Sequence, residues 1–225
     1  MKLWLVRHAQ PLIAPGICYG RLDVAADANA TAECARQLAI ELPADIRVLA
    51  SPLQRCQQLA QALRKLRPDL AFQTDARLQE MDFGRWEGRA WDAIEPAELQ
   101  AWTDDFSHYA VGHTGESVAA FMTRVAQAFD ALGERVDSGN GWPALSPDRV
   151  PRGKAQDAST QAPASTTLWI THAGVIRAVQ LLAQGLRQIE HARQWPMDAP
   201  KYGQWQTLDW PMEPVQAAQA ASRSG

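Results

Sequence analysis

Two short apolar segments, far apart in the chain, end in the same way. Leu3-Trp4-Leu5-Val6 runs straight into Arg7 and His8, and Thr167-Leu168-Trp169-Ile170-Thr171 runs straight into His172, Ala173 and Gly174. Apolar runs of this length, without polar alternation, fit strands buried on both faces, as in a parallel sheet covered by helices. In such a sheet, ligands gather outside the carboxyl ends of the strands. The shared ending therefore narrows the chain to an α/β class. It also predicts that two distant histidines reach the same sheet edge.

The remaining pattern agrees with that class. Residues 28–42 are rich in Ala, Glu and Gln, stop at Pro43 and read as a helix. Residues 46–50 read as a second strand, stopped by Ser51-Pro52. Residues 53–66 read as a helix with Leu59, Ala62, Leu63 and Leu66 on one stripe and Pro68 beyond it. A short strand is predicted over 71–74. Residues 78–115 look irregular, punctuated by Gly84, Gly88, Gly112 and Gly115. Thr114-Gly115-Glu116-Ser117 opens a helix on which Val118, Phe121, Met122, Val125, Phe129 and Leu132 recur at three- and four-residue steps. A helix is expected from about Val175, and a last strand over 204–210. Strands alternating with helices predict a three-layer α/β sandwich around a mostly parallel central sheet.

One domain is expected over residues 1–213. Within it, 138–165 carries four prolines, many Ala, Ser and Thr, and only Leu145 and Val150 as aliphatics. Such a composition buries too little to order itself and predicts a flexible insertion. The tail 214–225, of Ala, Gln and Ser, is expected to fray.

Charge and cysteine content exclude several classes. Lys and Arg number 22 against 25 Asp and Glu, a formal net charge of −3. No basic excess exists to hold a nucleic-acid backbone, so no nucleic-acid partner is expected. Cys18, Cys34 and Cys56 are odd in number and follow no CxxC spacing. They argue against a disulfide framework or a zinc site and fit a reducing, cytoplasmic setting. The apolar run at the N-terminus is too short for a signal peptide or a membrane span, and no later run is long enough; no membrane association is expected.

The chemistry lies at the predicted sheet edge. Arg7 and His8 end the first strand, His172 ends a later one, and Arg55 stands on the first turn of the helix behind Ser51-Pro52. A phosphate monoester carries about −1.5 to −2 charges at neutral pH. Two guanidiniums and an imidazole would match it in charge and in N–H donors. Metal binding is the rival for paired histidines, but an Arg in the cluster opposes a cation and no carboxylate flanks either His, so no metal is expected. A neutral imidazole can attack phosphorus, and the leaving alkoxide then needs an acid. Glu80, Asp82 and Glu87 compete for that role, and spacing does not choose among them; for Glu87 a cap on a helix or loop is the better reading. Arg177 reads as structural, and the nine Trp residues as core and loop anchors.

Taken together, these segments resemble the histidine phosphatase superfamily, also called phosphoglycerate mutase-like. Leu5-Val6-Arg7-His8-Ala9-Gln10 resembles its Arg-His-Gly signature, with Ala9 in place of Gly. Ser51-Pro52-Leu53-Gln54-Arg55 resembles its second arginine motif, Leu78 to Gly88 its acid-bearing loop, and Thr171-His172-Ala173-Gly174 its second histidine motif. The resemblance implies that His8 is the nucleophile and that Arg7, Arg55 and His172 form the phosphate pocket with it. It implies Glu80 as the acid, with Gln10, Tyr19, Gly20 and Arg21 facing the leaving group and no metal or other cofactor. The expected activity is hydrolysis of a small-molecule phosphate ester through a phosphohistidine, as in the small bacterial branch that includes alpha-ribazole phosphatase. A cofactor-dependent phosphoglycerate mutase and a non-catalytic phospho-ligand or protein-binding module are the alternatives. A monomer or a homodimer is expected.

Overall fold

The computed structural model describes residues 2–137 and 166–209. The expected insertion at 138–165 and tail at 214–225 lie outside the described residues. Five strands form one sheet: β1 (Lys2–Arg7), β2 (Arg47–Ala50), β3 (Phe72–Thr74), β4 (Thr166–Thr171) and β5 (Trp205–Asp209). Their spatial order is β3-β2-β4-β1-β5. β1, β2, β3 and β4 are mutually parallel, and β5 closes one edge antiparallel to β1. Five α-helices accompany them: α1 (Ala28–Glu41), α2 (Gln54–Leu66), α3 (Pro96–Asp104), α4 (Val118–Asp137) and α5 (Ala173–Ala183).

The two-residue period of the strands divides the core into two layers. Leu3 and Leu5 of β1, Leu49 of β2 and Trp169 of β4 face the layer that holds Phe121, Met122 and Val125 of α4 and Val175, Ile176 and Val179 of α5. Val6, Val48, Ala50, Leu168 and Ile170 face the other layer, with Ala35 and Leu38 of α1 and Leu59 and Leu63 of α2. Both faces are covered, which is why these strands are apolar without a gap. The result is the expected three-layer α/β sandwich with a mostly parallel sheet.

Strand register brings distant residues level. Val6 pairs with Ile170, Arg7 with Thr171, and Ala50 with Ile170. The ladder continues past the strand ends, where the His8 amide donates to the Thr171 carbonyl at 3.0 Å and the Ser51 amide to the Ile170 carbonyl at 2.9 Å. His8, Ser51 and His172 thus emerge side by side.

The structure departs from the sequence reading mainly within 78–115. That stretch contains α3, which begins with Pro96 and carries Glu98 in its first turn. Proline at the first helical position is a start signal, because its missing N–H would be unsatisfied there anyway. No residue of α3 is fully buried. Its apolar residues Leu99 and Trp102 are only partly buried against the core, a stripe too short to stand out as a period. Cys18, Cys34 and Cys56 are free and buried. Among the described residues no helix is long and apolar enough to cross a membrane.

Candidate active site

His8 is 2% exposed at the end of β1. Its Nδ1 lies 2.8 Å from the carbonyl oxygen of Ala9. A carbonyl only accepts, so Nδ1 carries the proton of a neutral ring and Nε2 keeps the lone pair. Burial pulls the His8 pKa well below the ordinary histidine value; Arg55 and Arg7 add to this, and the Ala9 carbonyl opposes it. The imidazole is thus a neutral base among cations.

His172 is fully buried, with its ring centroid 5.1 Å from that of His8. Its Nε2 lies 2.8 Å from Ser51 Oγ and 3.5 Å from Cys56 Sγ, while its Nδ1 is buried without a partner. Burial, then Arg55 and His8, pull its pKa well down.

Both arginines are anchored on backbone carbonyl groups. Arg55 donates through Nη1 to the Leu22 carbonyl at 2.8 Å and through Nη2 to the Gly20 carbonyl. Arg7 donates through Nη1 to the Pro200 carbonyl at 3.1 Å and lies 3.8 Å over the ring of Tyr202. The Nε atoms of Arg7, Arg55 and Arg177 are buried without partners, as is His172 Nδ1. Buried donors are nearly always paired in folded proteins. Arg7, Arg55 and Arg177 line one cavity, and three guanidinium groups gathered there favour an anion.

Arg7, His8, Tyr19, Arg55, Glu80 and Arg177 share a cavity of about 390 Å³. Glu80 is held at the N-terminus of α5: its Oε2 accepts from the Gly174 amide at 2.9 Å and its Oε1 from the Met81 amide at 3.0 Å. Gly174 permits this approach, because a methyl group there would overlap the carboxylate. The loop behind Glu80 is braced by Arg124, which donates to the carbonyls of Arg77 (2.8 Å) and Gln79 (3.0 Å) and pairs with Glu116 at 2.7 Å.

The structure also separates the three competing carboxylates. Only Glu80 lines the cavity. Asp82 turns outward, accepting from the Gly84 amide at 2.8 Å and pairing with Arg21 at 3.3 Å. Glu87 accepts from the amides of Gly20, Arg21, Leu22 and Phe83 at 2.9 to 3.0 Å, so it caps a loop as the sequence suggested.

Of the four residues expected at the leaving group, Tyr19 reaches the cavity. Gly20 contributes its carbonyl to Arg55 instead. Arg21 is exposed beside Asp82, and Gln10 is exposed with its carbonyl accepting from the Asp27 amide at 2.7 Å. Sequence reasoning missed Arg177, Tyr202 and a set of cavity-lining aromatic residues that includes Trp91, Trp102 and Trp195. Arg177 was within reach: it follows Gly174 by three residues on α5 and so shares its face. Tyr202 lies in a segment without periodicity and carried no signal. Among the described residues no group of three His, Cys, Asp or Glu side chains is placed to hold a metal ion.

The Thermus thermophilus protein TTHB049 shares 25% identity at a TM-score of 0.60, over 94% of this chain and 95% of its own. The mycobacterial glucosyl-3-phosphoglycerate phosphatase shares 20% identity at a TM-score of 0.65, over 92% of this chain and 88% of its own. A protein described as mycobacterial hydrolase 2 shares 21% identity at a TM-score of 0.66, over 92% of this chain and 80% of its own. The mycobacterial likenesses show the fold. No curated protein sequence matches significantly. A model of the histidine phosphatase superfamily (branch 1) matches residues 3–143, the stretch that holds Arg7, His8, Arg55 and Glu80, while His172 lies beyond it. The chain belongs to the histidine phosphatase superfamily, branch 1.

Proposed function

We propose that the chain is a metal-independent phosphomonoesterase working through a phosphohistidine at His8. The observation that carries this reading is the contact of His8 Nδ1 with the Ala9 carbonyl at 2.8 Å. It fixes the tautomer with the Nε2 lone pair free, beside two guanidiniums that attract a phosphoryl group.

In the first step Nε2 attacks phosphorus, and the bond from phosphorus to the ester oxygen breaks as Glu80 gives that oxygen a proton. Arg7, Arg55 and His172 take up the charge on the equatorial oxygens. The Ala9 carbonyl, accepting from Nδ1–H, steadies the positive ring of the phosphorylated imidazole. In the second step the Glu80 carboxylate takes a proton from water, and the water oxygen attacks phosphorus. The phosphorus–nitrogen bond breaks, its electron pair returns to Nε2, and inorganic phosphate leaves with Glu80 protonated again.

The substrate is a small-molecule phosphate ester. The narrower proposal is an alpha-ribazole phosphatase-like substrate, supported by the short acid-bearing loop and by Tyr19 in the cavity wall.

Mixing with p-nitrophenyl phosphate and quenching in base tests this reading. A phosphoryl group on the protein, stable to base and labile to acid, is expected, and the His8→Ala variant should lack it. Excess EDTA should leave turnover unchanged. With 3-phosphoglycerate and 2,3-bisphosphoglycerate, isomer exchange faster than phosphate release would replace the phosphatase by a mutase.

A further inference from the structure

The cavity has two unlike ends. Arg7, His8, Arg55, Glu80 and Arg177 crowd one of them. The rest of the wall is largely ring and aliphatic surface, contributed by Phe83, Trp91, Trp102, Phe106, Phe121 and Trp195. These rings come from three separate parts of the chain. Phe83, Trp91, Trp102 and Phe106 belong to the acid loop and the segment around α3, Phe121 to α4, and Trp195 to the segment before β5. They contact one another edge-on (Phe83 to Trp91 at 5.6 Å, Phe83 to Trp102 at 6.2 Å), stacked (Trp102 to Phe106 at 5.5 Å) or tilted (Phe121 to Trp195 at 6.2 Å). Phe83, Trp91, Trp102 and Trp195 are only partly buried.

Resting on the phosphomonoesterase reading, we infer that the leaving group is an alcohol carrying an aromatic ring. The anionic head occupies the arginine end and the ring lies among the aromatic walls, where offset and edge-on contacts are favourable. A glycerate or a sugar without a ring system attached would bring only hydroxyls against surfaces that offer them almost no partners, and such hydroxyls lose their water without replacement.

The test uses esters of primary alcohols, so that chemical reactivity is closely matched: 2-(1-naphthyl)ethyl phosphate, 2-(quinolin-5-yl)ethyl phosphate and glycerol 1-phosphate. Both arylethyl esters should exceed glycerol 1-phosphate in kcat/KM by about tenfold or more. Trp102→Ala, which removes one ring of the aromatic wall, should reduce that preference severalfold. Equal or better turnover of glycerol 1-phosphate overturns the inference and leaves the phosphatase reading standing. An arylethyl preference unchanged in Trp102→Ala overturns the role of the aromatic wall. No hydrolysis of any ester, nor of p-nitrophenyl phosphate, would instead remove the phosphatase reading itself.

Discussion

Glu87 and Arg55 grip opposite sides of one loop. The Glu87 carboxylate accepts from the amides of Gly20, Arg21 and Leu22, while the Arg55 guanidinium donates to the carbonyls of Gly20 and Leu22. The two side chains act on each other through the peptide groups between them. The loop is polarised in one sense, with its N–H groups toward the anion and its C=O groups toward the cation, an arrangement in which each contact strengthens the next. It aligns Arg55 at the anion end of the cavity.

Glu87→Ala should therefore cost about 2–3 kcal/mol of stability, since four amides lose a charged acceptor. It should also weaken competitive inhibition by inorganic phosphate by about tenfold or more, because Arg55 loses its alignment. Denaturant unfolding and phosphate inhibition constants measure the two effects separately. Lost stability with an unchanged inhibition constant would show that the loop does not position Arg55.

Glu80 owes its place to Gly174. Glu80→Gln should slow hydrolysis of alkyl phosphates by about 10²–10⁴-fold. Formation of the phosphoprotein from p-nitrophenyl phosphate should suffer far less, since that leaving group departs without a proton. Gly174→Ala should resemble Glu80→Gln in this contrast, because its methyl displaces the carboxylate. Rapid-quench kinetics on the two esters check this; an equal loss on both would mean that Glu80 does not supply the proton.

Acid should weaken the phosphate-free fold. Burial holds both His8 and His172 well below the ordinary histidine pKa. In the unfolded chain they take up protons near pH 6.5, roughly the free value, while in the folded chain they resist until lower pH. The unfolded state then binds more protons, so stability is full above about pH 6.5 and falls as the pH drops toward the folded values, by up to about 1.4 kcal/mol per pH unit for each histidine. Urea titrations of the protein and of His172→Asn, between about pH 7 and pH 5, should show the shallower slope in the variant. Equal slopes would contradict the assignment. Added phosphate should shift the loss to lower pH, because a bound dianion favours the imidazolium of His172.

The thiols should be inert while the chain is folded. Burial pushes Cys18 and Cys34 up to about 12, with Glu87 and Glu33 adding to the effect, and raises Cys56 as well. Thiolate is the reactive form, so iodoacetamide should label none of the three in the native state and all three after unfolding. Stoichiometric native labelling, read by mass spectrometry, would show an opening that this packing does not contain.

The sequence by itself determined the class of fold, the order of the main strands and helices, and the strand-end residues Arg7, His8 and His172. These follow from local hydrophobic period and from strand termination, which are properties of neighbouring residues. It did not reveal α3, whose partly buried Leu99 and Trp102 make too short an apolar stripe to read as a period. Only the tertiary structure separated Glu80 from Asp82, two residues away, because backbone direction in an irregular loop decides which carboxylate meets the α5 N-terminus. Only it turned Gln10 and Arg21 away from the cavity and brought in Arg177, Tyr202 and the aromatic wall. Those neighbours lie far apart in the chain or in segments without periodicity. What unites them is the parallel register of β1, β2 and β4 and the packing of α4 and α5 on one face of the sheet, a long-range outcome that no short stretch of sequence encodes.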